Sequence, residues 1–373
     1  MNIPFFRKRD KSIENTIYSL LFIPDYKKNI ANHTKRIANQ LLYETFYRMK
    51  LKLLFISLLA IVLTACSFGE TKKDKQIDPQ IKNQIHELTN QIVDGLVENK
   101  PENVLVLCSD NLLKKKGDIK ILMKILTGNL KKHSFKILNE YYQKDASKKN
   151  MSTLNSGGPD DHAYQLRYES LNKEMYVVVG FFKDSMDQKC FTFIYGKNRS
   201  IWKLNNIQAG ILKIMDKDAF DWYKLAKTDY DKGYFIDAVC KIGLSTQLLK
   251  PANHLWKYEK ENEILAFEQK VTKKTYSVYH FPITVDSVST KPVIFRVYDQ
   301  NIPGGYFPSI LYTTTIDMKD IPKLALECDQ IHKIIGKLFK GITTNNKMIL
   351  YRPMKTMPIG AEEGKQYGFI KRN

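Results

Sequence analysis

The spacing of apolar residues switches repeatedly along the chain, and this pattern limits the fold more than any other feature. It is helical over 81–130, alternating or continuously apolar over 135–214, helical again over 217–265 and mixed afterwards. Helices followed by a run of strands are typical of α+β proteins. We therefore predict an α+β fold: N-terminal helices with a curved antiparallel sheet, a central helical hairpin, and a second α+β unit at the C-terminus.

The first unit is predicted to span residues 79–215. Asp78 and Pro79 suit a helix start, and one apolar face follows at Ile81, Ile85, Leu88, Ile92 and Leu96. The predicted strands cover 135–142, 162–170, 174–182, 189–195 and 201–214. Residues 176–182 are apolar apart from Gly180, which favours a central strand covered on both faces.

This order of elements, with a closing strand around Trp202-Lys203-Leu204, resembles the NTF2-like or cystatin-like roll. The resemblance implies a curved sheet that wraps a long N-terminal helix. Some members of that class are enzymes with acid or base residues inside the cone, and many only bind.

Residues 216–265 carry one helix–turn–helix pattern. Trp222 and Leu225, then Gly233, Phe235 and Ala238, resemble a tetratricopeptide repeat. A solenoid needs about three such repeats to bury its faces. A single unit therefore predicts a packed helical hairpin, with a peptide-binding groove as the alternative.

The remaining residues, 266–373, are predicted to form a second α+β unit. Strands are expected at 276–281, 293–298 and 309–315. The helix that follows has one apolar face, made by Ile321, Leu324, Cys328, Ile331, Ile335 and Leu338. Two short strands, 348–351 and 367–370, are expected to complete the unit.

A short apolar run near the N-terminus ends in a specific motif. Basic residues Lys50 and Lys52 precede the run 53–62, which is shorter than the roughly 20 residues of a spanning helix. Leu63-Thr64-Ala65-Cys66 follows and resembles the lipobox of bacterial lipoproteins. The resemblance implies transfer of diacylglycerol to the Cys66 thiol and cleavage between Ala65 and Cys66, with acylation of the new amino terminus, for example by palmitate, as a further option. The mature chain would then be anchored by its lipid, outside the cytoplasm, on the cell membrane or the outer membrane.

The residues on either side of this signal carry two further predictions. Residues 1–48 lack caps and a convincing amphipathic period, so we interpret them as an upstream extension produced by a mis-assigned start, with Met49 as the true start. The alternative is a real cytoplasmic extension with an uncleaved anchor. Residues 66–78 are polar and charged after the cysteine, which predicts a flexible tether.

The formal net charge is +20, and much of it is lysine interleaved with acids. This favours a solvated surface, with attraction to anionic headgroups or an acidic polymer as the alternative. No nucleic-acid-binding module is recognisable, so we predict no nucleic-acid partner. Cys108, Cys190, Cys240 and Cys328 are isolated in sequence and are predicted to be buried thiols, although disulfides remain open.

The chain carries no sequence motif that indicates a catalytic site or a metal site. The chain has no H-E-x-x-H, no G-x-S-x-G and no P-loop, so we predict no metal, no cofactor and no catalytic residues. Asp160-Asp161-His162 is the one stretch that could pair a carboxylate with an imidazole, but a polar turn before a strand is the commoner reading.

One loop is distinctive enough to suggest binding. Ile302-Pro303-Gly304-Gly305 is followed by Tyr306 and Phe307, which could present rings at a loop tip. The ordinary alternative is a long turn between strands. If the second unit contains a ligand groove, we predict that His280, Arg296, Tyr306 and Phe307 line it.

Two functional hypotheses follow. The first is a non-catalytic binding or scaffolding module of the cell envelope, attached to the membrane through Cys66, with an envelope protein or peptide as a possible partner. It predicts no convergent acid, base or metal cluster in any pocket. The second is a hydrolase or lyase-like envelope enzyme that uses the cavity of the N-terminal roll, which requires a buried histidine–carboxylate pair facing that cavity.

Overall fold

Helices and strands alternate in blocks, and the chain folds as an α+β protein, as predicted. The structure is a computed structural model that describes residues 70–126, 130–146, 149–157, 161–183, 187–358 and 367–373. Its helices are α1 (Pro79–Val97), α2 (Pro101–Leu105), α3 (Asp110–Leu113), α4 (Lys116–Leu126), α5 (Ala219–Asp231), α6 (Phe235–Gln247), α7 (Glu261–Tyr279), α8 (Ile321–Leu338) and α9 (Ile342–Asn345). Its strands are β1 (Thr71–Lys73), β2 (Phe135–Gln143), β3 (Met151–Asn155), β4 (Tyr164–Glu169), β5 (Glu174–Phe182), β6 (Gln188–Asn198), β7 (Ile201–Lys213), β8 (Trp256–Tyr258), β9 (Ile283–Thr284), β10 (Val293–Ile302), β11 (Gly305–Thr313), β12 (Met348–Met354) and β13 (Phe369–Arg372).

The central sheet is antiparallel, with the strand order β1-β2-β5-β6-β7. Strand β5 lies in its middle, and its apolar side chains alternate between the two faces. Tyr176 and Val178 face one core, whereas Val177 and Val179 face the other. This confirms the prediction of a central strand covered on both sides.

Helix α1 covers the first face. The carboxylate of Asp78 caps it by accepting hydrogen bonds from the backbone N–H groups of Gln80 (2.8 Å) and Ile81 (3.2 Å). Its apolar stripe packs on Phe193, Tyr195 and other rings of the sheet. Aromatic side chains therefore fill the inner face of the sheet, where the roll resemblance placed a cavity.

The second face is covered by the small sheet β3-β4-β8 and by the hairpin of α5 and α6. Gly233, with φ +76°, lies in the turn that joins the two helices. Trp222 is buried in the shared core, at 6% exposure. The described residues from 70 onwards form one compact unit, since the hairpin contributes to the cores on both of its sides.

A second five-stranded sheet, ordered β13-β12-β11-β10-β9, forms the C-terminal part. Its strands pair antiparallel except β11 and β12, which are parallel. Helix α8 lies on one face, where Cys328, Ile331 and Ile335 are fully buried. Thus the predicted helix 321–338 is confirmed.

The strand predicted at 276–281 is wrong. Those residues begin as the last turn of helix α7, which ends at Tyr279. Ile264, Val271 and Thr275 are buried on its inner side at helical spacing. The alternating apolar residues after 275 mimicked a strand, because that end of the helix packs less completely.

The flexible tether predicted at 66–78 is also wrong where the structure describes it. Strand β1 pairs with β2, and the carboxylate of Asp74 accepts hydrogen bonds from the backbone N–H of Glu140 (2.9 Å) and from Asn139 Nδ2 (3.1 Å). The polar composition conceals a strand because edge strands bury few side chains. The predictions for residues 1–48, for the signal 49–65 and for Cys66 lie outside the described residues.

Candidate functional site

The recess beside His162 is the best candidate for a functional site. Strands β2, β4, β7 and β8 surround it, and its volume is about 460 Å³. We call it the His162 recess; His162, Asp218, Tyr164 and Trp256 line it. A larger recess of about 570 Å³ lies elsewhere, beside Arg167 and His254. The His162 recess is the better candidate because a histidine–carboxylate pair lies in its wall.

Asp218 holds His162 in one orientation. His162 Nδ1 lies 2.6 Å from Asp218 Oδ2, and the imidazole packs edge-on against Phe220 at 5.6 Å between ring centroids. The carboxylate is itself fixed, because its Oδ1 accepts hydrogen bonds from the backbone N–H groups of Phe220 (3.0 Å) and Asp221 (3.1 Å). Asp218 is therefore both the N-cap of α5 and the partner that orients the imidazole.

Asp221 completes a group of three possible metal ligands. One ligand atom each from His162, Asp218 and Asp221 lies within 4.8 Å of the others, and this is the one such group in the part of the chain that the structure describes. However, Asp221 Oδ2 accepts a hydrogen bond from the backbone N–H of Asp218 (3.2 Å), so both carboxylates already serve the helix cap. The positive end of the α5 dipole also disfavours a cation here. Capping explains the arrangement without a metal.

Part of the wall of the recess is aromatic. Tyr164 stacks on Trp256, with the ring centroids 3.7 Å apart and an angle of 18° between the planes. Tyr164 Oη donates to Asn139 Oδ1 at 2.7 Å, and burial raises the pKa of Tyr164 well above its ordinary value. Trp256 Nε1 is buried and has no hydrogen-bond partner among the described residues. The wall thus combines a stacked pair with an unused buried donor.

The loop singled out in the sequence is a tight hairpin turn. Ile302 pairs with Gly305, so Pro303 and Gly304 form a two-residue connection. Gly304 and Gly305 have φ +103° and +136°, which favour glycine, and a Cβ on Gly305 would lie 3.1 Å from Met215 Cε. The turn therefore explains both glycines.

The four residues predicted as a ligand site do not lie together. Tyr306 lines a recess of about 450 Å³ with Asp187 and Met215, whereas Phe307 is buried. Arg296 is exposed over the ring of Tyr298, at a register position opposite Leu311, about 16 Å along β11 from Tyr306. His280 is exposed at the C-terminal end of α7. The strand prediction for 276–281 is the reason that His280 was placed on this sheet.

A second histidine–carboxylate pair, which the sequence did not indicate, lies under helix α1. His86 Nε2 is 2.8 Å from Glu140 Oε2, and Tyr176 Oη donates to the same oxygen at 2.7 Å. Lys82 forms an ion pair with the other carboxylate oxygen. Burial alone would raise the pKa of Glu140, but these three hydrogen bonds together lower it to about 2. This carboxylate is satisfied on both oxygens, which indicates a structural role.

The cysteines fit the prediction of buried thiols. Cys108, Cys190, Cys240 and Cys328 are all buried and free, so no disulfide links them. Burial raises the pKa of Cys108 to about 11 and the pKa values of Cys190 and Cys328 to about 12. Such thiols are poor nucleophiles.

No family model matches the chain, and no curated protein is significantly similar to it. Among the described helices, none combines the length and apolar character needed to cross a bilayer.

Proposed function

We propose that this chain is a lipid-anchored protein of the bacterial cell envelope that acts as a non-catalytic binding or scaffolding module. The observation that carries the proposal is the sequence Leu63-Thr64-Ala65-Cys66 after a short basic and apolar signal. One acyl chain binds a membrane only marginally, whereas two or three hold a protein firmly, so a modified Cys66 would suffice as an anchor.

The binding hypothesis predicted no acid–base cluster in any pocket, and the group of His162, Asp218 and Asp221 at the His162 recess contradicts that expectation. Two other features of the fold support binding over catalysis. The inner face of the central sheet, where the enzyme hypothesis requires a cavity, is packed with aromatic side chains. The histidine–carboxylate pairs are engaged in capping α5 and in holding α1 to β2. What remains is the His162 recess, whose aromatic wall suits a small planar ligand or part of a partner protein.

Metabolic labelling with radioactive palmitate tests the anchor. The wild-type protein should incorporate label and fractionate with membranes, and the Cys66→Ala variant should do neither. Ser67→Ala is the matched control, because it alters the neighbouring residue but leaves the thiol. Equal labelling of wild type and Cys66→Ala would overturn the proposal.

The position of the start is tested separately. A gene that begins at Met49 should give the same mature protein as the full reading frame. Peptides from residues 2–48, detected by mass spectrometry of native cells, would show instead that the upstream extension is translated.

The envelope enzyme, hydrolase or lyase-like, stays as a second candidate because of the pair His162–Asp218. A carboxylate that fixes an imidazole beside a recess is the arrangement that general bases use, but here it lies outside the roll interior. Hydrolysis of p-nitrophenyl acetate above the rate of free imidazole, lost in His162→Gln and kept in the surface variant His133→Gln, would favour the enzyme. No such turnover is expected of a binding module.

A further inference from the structure

The anchor and the folded body are separated by very little chain. Thr71, the first residue of β1, is five positions after Cys66. Five residues span at most about 18 Å even when fully extended. If Cys66 carries the lipid, the start of β1 is therefore held within about that distance of the membrane surface. This step rests on the anchor proposed above.

The start of β1 lies at one end of the central sheet. The register aligns Thr71 with Gln143, Gln143 with Met175, Met175 with Gly196, and Gly196 with Lys203. Beyond this row lie three segments that connect the strands at the same end; the structure describes them at 144–146 and 149–150, at 170–173 and at 198–200. We call these three segments the anchor-end surface. If Cys66 carries the lipid, this surface is the part of the body that the short connection brings closest to the membrane.

Basic side chains dominate what this surface exposes. Lys144, Lys149, Lys173 and Arg199 are all exposed, and no ion pair involves them among the described residues. Asp145 is the one acid within the three segments. The adjoining acids Glu70 and Glu174 are already paired, with Lys72 (3.2 Å) and Lys197 (3.3 Å); Glu169 adjoins the surface at the end of β4. The charge that remains is positive.

The surface is also held rigidly. The backbone N–H of Ala146 donates to the carbonyl oxygen of Lys173 (2.8 Å), and that of Lys149 donates to the carbonyl oxygen of Ser170 (2.7 Å). Asn205 Nδ2 donates to Asn172 Oδ1 at 2.9 Å, which ties the segment 170–173 to β7. The backbone that carries these cations is therefore fixed in place, although the exposed side chains themselves still lose freedom when they bind.

We propose that the anchor-end surface lies against the membrane and binds the phosphate groups of anionic lipids through Lys144, Lys149, Lys173 and Arg199. Each such cation contributes about 1 kcal/mol near an anionic bilayer, and salt screens the attraction. The lipid on Cys66 keeps the protein on the membrane, and these contacts fix which way the body faces. The opposite end of the sheet then points away from the bilayer.

Fluorescence quenching in vesicles tests the orientation. The full lipidated chain is labelled at Ser200→Cys, on the anchor-end surface, or at Lys183→Cys, which is exposed at the opposite end of β5. Both are reconstituted in phosphatidylcholine vesicles, with or without phosphatidylglycerol, that carry a headgroup spin label. In anionic vesicles, quenching at position 200 should exceed quenching at position 183 at least about twofold. Quenching at position 200 should be weaker in neutral vesicles, and weaker in anionic vesicles when about 1 M NaCl is present.

Charge removal tests the residues. The triple variant Lys144→Gln/Lys149→Gln/Lys173→Gln should lose the dependence on phosphatidylglycerol. The matched triple variant Lys319→Gln/Lys333→Gln/Lys337→Gln removes equal charge from other exposed positions and should keep it. Equal quenching at both labels, or quenching at position 200 that ignores lipid charge, would overturn the proposed surface. Flotation distinguishes the two proposals: protein that fails to float with vesicles lacks the anchor itself, and this overturns both.

Discussion

Trp222 Nε1 donates a hydrogen bond of 3.2 Å to the carbonyl oxygen of Ile214. This contact joins the first turns of α5 to the chain leaving β7, and the indole is buried in the core that the central sheet shares with the hairpin. The segment after residue 215 therefore packs on the central sheet and is not a linker between the N-terminal and C-terminal parts of the protein.

Replacing Trp222 with alanine should lower the free energy of unfolding by about 3–5 kcal/mol, the range for removing a large buried aromatic side chain. Trp222→Phe keeps most of the ring volume and loses the hydrogen bond, so its effect should be smaller. Chemical denaturation followed by circular dichroism measures both. An unchanged midpoint in Trp222→Ala, with free proteolysis within 217–265, would contradict the packed arrangement.

Asp237 should make the protein less stable as the pH rises. Burial raises the pKa of this carboxyl to about 6 from an unfolded value of 3.8, and one of its oxygens has no hydrogen-bond partner among the described residues. A raised folded pKa means stability that is present below about pH 4 and lost as the pH rises through 6. The difference corresponds to at most about 3 kcal/mol.

The variant Asp237→Asn should remove most of this dependence, because it keeps the shape and an acceptor for Asn346 Nδ2, which donates to Asp237 Oδ1 at 2.6 Å. The variant should have a higher free energy of unfolding than wild type at pH 7 and the same free energy of unfolding at pH 4. Asp231→Asn, at an exposed position, is the control. Parallel pH curves for wild type and Asp237→Asn would refute the assignment.

Glu140 should give the stability of the protein the opposite pH dependence from Asp237. Its pKa is lowered to about 2 from 4.5, so its contribution is present above about pH 4.5 and lost as the pH falls through 2. Because Lys82 and His86 are partly exposed, we expect Glu140→Gln to cost only about 2 kcal/mol at pH 7. Urea denaturation at pH 7 and pH 3 measures this, with the exposed Glu87→Gln as control. A deficit that does not shrink in acid would exclude the proposed ion pairs as its source.

The buried thiols should resist alkylation. With pKa values of about 11 to 12 for Cys108, Cys190 and Cys328, few thiolates exist at neutral pH, and burial blocks access. Iodoacetamide should modify these three and Cys240 only after denaturation, as mapped by mass spectrometry, whereas a cysteine placed at the exposed Ser200 should react in the native protein. Native-state labelling of any of the four would show that its surroundings open.

The sequence correctly predicted the elements that are determined by interactions between residues close together in the chain. Helix α8 and the start of α1 follow from a single apolar face, a first-turn proline and a capping aspartate, all within a few residues. Strands β1 and β3 were missed because their composition is polar, and partners far along the chain stabilise them: β1 pairs with β2, and β3 with β4.

The candidate site shows the same limit. The sequence pointed to His162 beside Asp161, but Asp161 lies near Lys224 (3.7 Å), and the imidazole pairs with Asp218, 56 positions away. The sequence signal for that carboxylate was its place as an N-cap before α5. Only the packing of α5 beside β4 brings the two residues together.

Helix α6 belongs to two cores at once. Ala238 and Ile242 pack towards the central sheet, Ile236 and Cys240 pack towards the C-terminal sheet, and Val239 contacts both. A premature stop codon after residue 265 would therefore remove the C-terminal sheet from one side of this helix. The apolar side chains on that side would then be exposed to solvent. Products that end at this point should therefore aggregate or be degraded, because the exposed side of the helix is apolar.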